Sequence, residues 1–226
     1  MNIPEGYLNG EIRDGFYVES TMKKAWAAEI EVLNEVDRIC RQHDIQYFAD
    51  WGTLLGTIRH KGFVPWDDDM DITMKREDYT RFCQIVRQEQ GELEIINFHT
   101  DPEWKDMLSR VINGRSVNYT EAHLDKYHGL PYVAGLDIFP LDYVAPTEDE
   151  DKIHCSMISI VEAFSANIRN NTATPEEIEQ TTKDIEQMCG VKFNNLEPLA
   201  TQLLKLGERL RSEERRVGKE CRSRWS

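Results

Sequence analysis

The chain has 226 residues, 40% of them hydrophobic, 9% aromatic, and a formal net charge of −14. That apolar content supports a packed core and excludes a disordered chain, while the acidity argues against nonspecific nucleic-acid binding, which needs a basic surface. Five scattered cysteines (Cys40, Cys83, Cys155, Cys189, Cys221), none spaced C-x-x-C, argue against a disulfide framework and a structural zinc site, and read as reduced thiols.

No run reaches the apolar length of a transmembrane helix, and Met1-Asn2-Ile3-Pro4-Glu5-Gly6 lacks the parts of a secretory signal, so a cytoplasmic protein is expected. Ser20 is predicted to cap a helix running to about Gln42, with Met22, Trp26, Ile30, Leu33, Val36 and Cys40 as its apolar stripe. Gln46 to Ala49 reads as a short strand, Leu54 to His60 as a short helix, and Lys61 to Trp66 as a loop fixed by Gly62 and Pro65. Met70 to Met74 alternates as a strand does, and Arg76 to Gln88 is amphipathic, with Tyr79, Phe82, Ile85 and Val86 on one side. Strands follow at Leu93–Ile96, Leu108–Ile112 and Tyr132–Phe139, the last ended by Pro140. Beyond Pro146 only helices are predicted: Glu148–Ile168, Pro175–Met188 behind the N-cap Thr174, and Leu196–Leu210.

The expected fold is α+β: a small mixed sheet with flanking helices over residues 1–145, then a mostly helical region over 146–210. Residues 211–226 hold six basic and three acidic side chains, a net of +3, so the preceding 210 residues carry −17. That tail lacks apolar periodicity, resembles vector-derived read-through, and is set aside as non-native.

The chemistry concentrates in Trp51 to Met74. Asp67, Asp68, Asp69 and Asp71 place four carboxylates within five positions, where unpaired they would repel one another. A divalent cation such as Mg²⁺ relieves that repulsion. In a strand Asp69 and Asp71 share a face, with Asp68 and Met70 pointing the other way. Gly52 and Thr53, opening a short helix, offer backbone N–H groups, a hydroxyl and a positive dipole end to a phosphate. Arg59, His60 and Lys61 follow at its far end and could neutralise more phosphate charge. Asp137, late in a β-forming run, is the candidate third carboxylate.

This ordered set resembles the nucleotidyltransferase superfamily and, within it, the LicD family of phosphocholine transferases that decorate bacterial cell-surface glycans. The resemblance rests on Gly52-Thr53-Leu54-Leu55-Gly56, Arg59-His60-Lys61-Gly62-Phe63, Pro65-Trp66-Asp67-Asp68-Asp69-Met70-Asp71-Ile72, Arg76-Glu77-Asp78-Tyr79 and Leu136-Asp137-Ile138-Phe139-Pro140-Leu141-Asp142. It implies a nucleotidyltransferase-like fold, with Asp69, Asp71 and Asp137 as metal-binding and catalytic residues. It also implies Mg²⁺, a CDP-linked donor such as CDP-choline, a glycan or glycolipid acceptor, and peripheral membrane association through that acceptor. An aromatic box for choline would draw on Tyr47, Trp51 and Trp66.

Simpler roles stand beside these. Asp67 and Asp68 also suit a solvated turn, His60 a packed histidine with no evident carboxylate partner, Trp51 and Trp66 loop anchors, and Asp142 a turn cap. Asp69-Met70-Asp71-Ile72-Thr73 matches the Asp-x-Asp-x-Thr of dehalogenase-type phosphatases, but lacks the buried apolar strand before the first Asp. A calcium loop starting at Asp67 fails at its sixth position, Ile72, and its twelfth, Asp78. A nucleotidyltransferase moving NMP from an NTP onto a small molecule would use the same residues.

Overall fold

The computed structural model describes residues 1–89 and 91–213. The chain opens on a hairpin, β1 (Glu11–Arg13) and β2 (Phe16–Val18), turned by Asp14 and Gly15 at φ of 50° and 79°. An Asp-Gly pair supplies the positive φ that a two-residue hairpin turn requires. The next element is α1 (Ser20–Gln42), whose N-cap is Glu19 rather than Ser20, with no side-chain cap bond. Its buried stripe takes in Lys23, Trp26, Glu29, Val32, Val36 and Ile39, so Lys23 replaces the expected Met22. Lys23 tolerates burial because Glu11 of the hairpin meets its ammonium at 2.5 Å and the Tyr7 ring lies 4.3 Å from it.

Next come β3 (Phe48–Ala49), α2 (Trp51–Arg59), β4 (Asp71–Lys75), α3 (Arg76–Glu89), β5 (Glu94–Ile96), β6 (Ser109–Ile112), α4 (Glu121–Lys126) and β7 (Gly135–Leu141). Five strands form one sheet in the order β3-β4-β7-β6-β5. The register pairs Ala49 with Ile72 and Arg110 with Asp137, both antiparallel. β4 is buried on both faces, since Asp71 and Thr73 are as covered as Ile72 and Met74. Its polar face is therefore directed at partners within the protein, not at water. One of them is the Phe139 carbonyl, which accepts from Thr73 Oγ1 at 3.0 Å.

Several boundaries differ from the sequence reading, β7 and the last helix each starting three residues late, at Gly135 and Leu199, and two of the differences bear on the site. Asp50, in extended conformation, caps α2 through its carboxylate, which accepts from the Trp51 N–H at 2.9 Å, so the helix starts three residues early. Pro140 does not end β7, which runs to Leu141. The ladder to β6 closes at Ile138, so the missing proline N–H removes no bond there.

The contacts divide the chain into two compact units: Met1–Thr100 with Leu108–Pro140, and Asp101–Met107 with Leu141 onward. The core of the first packs Val32 and Val36 of α1 against Ile72 and Met74 of β4, Phe82 and Val86 of α3, and Leu136 and Ile138 of β7. The second holds α5 (Glu148–Arg169), α6 (Pro175–Cys189) and α7 (Leu199–Glu213), built around Val161, Phe164, Ile185, Leu203 and Leu206. Thr147 and Thr174 both cap by the reciprocal Thr/Glu arrangement, with Pro175 in the first turn of α6. The chain is thus α+β, with only helices beyond β7 among the described residues.

Of the segment set aside as a tail, Arg211 is described within α7 and pairs with Glu162 at 2.6 Å, while residues 214–226 lie outside the described residues. Cys40, Cys83, Cys155 and Cys189 form no disulfide, and burial pushes Cys40 up to about 12, which leaves it inert at neutral pH.

At Gly56 the backbone of the loop after α2 lies directly against the helix. A Cβ there would sit 2.5 Å from the Gly62 carbonyl and 3.0 Å from the Val64 nitrogen, both backbone atoms that cannot step aside cheaply. Gly56→Ala is expected to lower stability by about 1–3 kcal/mol in urea unfolding. Gly91→Ala, with nothing within 4 Å of its Cβ, should stay within about 0.5 kcal/mol of the parent.

Candidate active site at the ends of the central strands

Two short elements and the loop between them deliver the acidic residues. β4 begins at Asp71, whose N–H donates to Thr53 Oγ1 of α2 at 2.8 Å and whose carbonyl accepts from the Asp50 N–H at 3.1 Å. The loop returns along α2, so that Asp67 Oδ2 occupies the space over Gly52: a Cβ at Gly52 would lie 2.0 Å from it. Glycine at 52 is therefore a condition of Asp67 standing where it does. The Trp26 indole of α1 pins the same residue by donating to the Asp67 carbonyl at 2.8 Å. Trp51, opening α2, has φ of 45°, an unfavourable conformation for a bulky residue held by its neighbours.

β7 lies beside β4, and the Asp137 N–H donates to the Met70 carbonyl at 3.0 Å, which brings Asp137 to the Asp69/Asp71 pair. Both oxygens of Asp137 are held by Arg110, Nε and one terminal nitrogen each at 2.6 Å, across the β6–β7 ladder. Arg110 was not foreseen from sequence, because its alternation in Ser109–Ile112 says nothing until the register is known. Asp67, Asp68 and Asp69 each place one carboxylate oxygen within 4.8 Å of the others. Asp68 thus converges with its neighbours instead of pointing away. The period-two rule does not reach it, since the strand starts only at Asp71.

Crowding and burial act together on these acids. Burial first, then Asp69, Asp137, Asp67 and Asp50, push the Asp71 carboxyl from 3.8 up to about 7. Asp69 is raised by burial and then by Asp67, Asp68 and Asp137. A further acid takes part. Glu29 of α1 is buried, and burial followed by Asp69, Asp68 and Asp67 pushes it up to about 9. Its signal in the sequence was an acid three residues after Trp26, on the stripe that otherwise packs the core.

Such a set fits a hard divalent cation: oxygen donors only and close together, with Asp69 and Asp71 raised by burial first and then by their acidic neighbours. Asp69, Asp71 and Asp137 are the residues that would hold it, beside Gly52 and Thr53. Arg59, His60, Lys61 and Trp66 gather elsewhere, at the far end of α2, with Arg59 about 10 Å along the helix axis from Gly52. There Arg59 Nε donates to His60 Nε2 at 2.7 Å, His60 Nδ1 meets Asp14 of the hairpin at 2.7 Å, and Trp66 lies 5.9 Å from the His60 ring. His60 has the carboxylate partner that the sequence left unseen, and Lys61 donates to the Ile58 carbonyl at 3.2 Å, closing the helix. The calcium-loop alternative does not survive. Asp71 opens a five-residue strand, where such a loop continues through its middle ligands.

Residues 44–140 match the family model described as "LicD/FKTN/FKRP, nucleotidyltransferase domain". That segment is less than half of the chain, and through it the chain is similar to LicD-family proteins.

Among curated proteins, the chain is 40% identical over 72 residues to the lipopolysaccharide cholinephosphotransferase LicD of Haemophilus influenzae, covering 32% of this chain and 27% of that protein. Uncharacterised proteins of Rickettsia typhi and Rickettsia prowazekii are 38% and 36% identical over 58 residues, in each case 26% of this chain and 19% and 22% of theirs. The matched stretch thus spans little more than a quarter of these relatives at most. The solved complex of the Type VI effector Tas1 with its immunity protein aligns with a TM-score of 0.29 at 11% identity, over 93% of this chain and 96% of that one, too distant to carry an argument.

The raised Asp71 carboxyl has a consequence for stability. Its folded value lies above its unfolded one, so the native state holds the extra proton between pH 3.8 and about 7 and loses that advantage as pH rises through the window. With EDTA present, Asp71→Asn is expected to gain stability relative to the parent as pH increases across this range, read from urea unfolding at each pH. A difference that is flat in pH would contradict it.

Proposed function

We propose that the chain transfers a phospho-alcohol group, with phosphocholine as the leading candidate, from a CDP-linked donor to a sugar hydroxyl of a cell-surface glycan. The observation that carries this reading is the convergence of Asp69, Asp71 and Asp137 beside Gly52 and Thr53, inside the segment that matches the LicD model. The transferred group and the glycan acceptor follow the name of the Haemophilus influenzae relative; the CDP-linked donor follows the resemblance read from the sequence.

In this reading the first turn of α2 receives the donor phosphates on its backbone N–H groups. Asp69, Asp71 and Asp137 would hold Mg²⁺, which would supply charge stabilisation for the phosphoryl oxygens and the departing nucleotide. The acceptor oxygen forms a bond to the β-phosphorus in line, the bridging P–O bond breaks, and CMP leaves with its electron pair. Asp137, oriented by both of its bonds to Arg110, serves as metal ligand or takes the acceptor proton.

For a quaternary ammonium, Trp51 is the best placed of the three aromatic candidates. It adjoins Gly52, is 41% exposed and stands 6.1 Å from the Phe139 ring. Tyr47 instead donates to Asp37, and Trp66 already has the Arg59 guanidinium 6.0 Å from its ring.

No helix among the described residues is long and apolar enough to cross a membrane. A cytoplasmic location, with membrane contact made through a glycolipid acceptor, belongs to the same proposal. Transfer of NMP from an NTP is the second reading, favoured by the nucleotidyltransferase description of the matching domain.

Purified protein with Mg²⁺ and a panel of CDP-linked donors is expected to release CMP from one of them, and EDTA to stop it. Pyrophosphate release from an NTP would select the second reading. Asp69→Asn and Asp71→Asn should each slow CMP release by roughly 10²–10³-fold or more while the fold is kept. Parent-like turnover in either variant refutes the assignment.

A further inference from the structure

Of the residues in α2, only Gly56 is buried. The helix turns its small residues inward: Gly52 beneath the Asp67 carboxylate, Thr53 against the start of β4, and Gly56 against the loop backbone. Its large residues go the other way. Trp51, Leu54, Leu55 and Ile58 recur at three- and four-residue steps, which puts them on one face, and they are between 41% and 64% exposed. Folding alone gives no reason for this inversion, because the three aliphatic side chains would be more stable out of water. An exposed apolar face of this kind marks a docking surface.

Beyond the end of α2, aromatic rings continue the face and cations border it. The hairpin turn reaches the helix end through Asp14, which meets His60 at 2.7 Å. There Phe16 and Trp66, both exposed, stand 6.2 Å apart, and the Arg59 guanidinium lies 6.0 Å from the Trp66 ring. Arg59 donates to His60 and Lys61 to the Ile58 carbonyl, and neither pairs with a carboxylate among the described residues. In a chain of net charge −14, two such cations beside an apolar helix face stand apart from the rest of the surface. Acids elsewhere are screened beyond about 8 Å at physiological ionic strength, so the charges bordering the face set its sign. Leucine and isoleucine edged by tryptophan, phenylalanine, arginine and lysine is the make-up of helices that lie in the headgroup layer of an anionic bilayer.

We propose that the outer face of α2, with Phe16 and Trp66, docks on an anionic lipid bilayer. Such docking needs no acceptor, and so goes beyond contact made through a glycolipid. It would hold the first turn of α2 at the level where a lipid-linked sugar is presented. That use rests on the transfer reading; the docking itself does not.

Co-sedimentation of the whole chain with glycolipid-free vesicles, of phosphatidylcholine with and without phosphatidylglycerol, tests it. The parent is expected to bind the anionic vesicles roughly tenfold more strongly than the neutral ones. Leu55→Gln combined with Ile58→Gln, both at exposed positions, should weaken that binding by roughly tenfold or more with urea unfolding unchanged. Arg59→Gln combined with Lys61→Gln should erase the preference for anionic vesicles, and keeps the test open if the first pair misfolds. A parent that stays in solution, or a Leu55→Gln, Ile58→Gln variant that binds like the parent, overturns the docking and leaves the proposed transfer standing. A parent dimer in light scattering that the same variant dissociates also overturns it, because the face then belongs to a second copy. Vesicle binding by a parent that releases no CMP from any donor supports the docking and counts against the transfer.

Discussion

Repulsion among carboxylates is the constraint on which this structure turns. Asp67, Asp68, Asp69, Asp71 and Asp137 are held close together, with Glu29 buried behind them, and Arg110 is the cation that faces them from within the fold. Two of the acids are pushed up to about 7 and about 9 by burial and by each other. A fold selected for stability alone gains nothing from this group, because burial and then the neighbouring acids push Asp69, Asp71 and Glu29 toward their neutral forms. A hard cation reverses the balance: what destabilises the metal-free protein becomes its ligand set.

The scaffold fixes that group by packing rather than by long-range charge. The Thr53 hydroxyl ties α2 to the first residue of β4, Gly52 yields its side-chain space to the Asp67 carboxylate, and Gly56 lets the loop lie directly on the helix. The Trp26 indole fastens the loop to α1, which is itself anchored in the core through Val32 and Val36. Each fastening is short-range and uncharged, so it persists whether or not the acids are ionised. The strain at Trp51 is carried by the same arrangement, at the point where a donor phosphate would arrive.

Much of this was legible in the sequence, and the parts that were not share a cause. Asp69 and Asp71 stand out because carboxylates at that density need explaining, Asp137 because it lies late in a β-forming run, and strand periodicity carried Asp71 to the right face. Periodicity failed for Asp68, which lies in the loop just outside β4, and for Pro140, which the strand runs through because the neighbouring ladder has already ended. The hairpin was missed although Asp14-Gly15 is a strong turn signal, and with it the partners of Lys23 and His60, Glu11 and Asp14. Arg110 and Glu29 depend on contacts between elements far apart in the chain. Only Glu29 left a trace, an acid on a buried stripe. The basic triplet at Arg59–Lys61 reads as phosphate-binding when only its nearness in sequence is considered, yet the helix places it a full helix length from Gly52 and engages two of its members locally.

The central claim is that the acids are crowded because a cation belongs among them. Carbon-detected NMR titration of the Asp71 carboxyl, with and without Mg²⁺, tests it at the atom concerned. Without Mg²⁺ the carboxyl is expected to titrate near 7, and saturating Mg²⁺ should drive it well below the ordinary aspartate range. A carboxyl that titrates alike with and without Mg²⁺, or already titrates near 3.8 in its absence, would contradict the account.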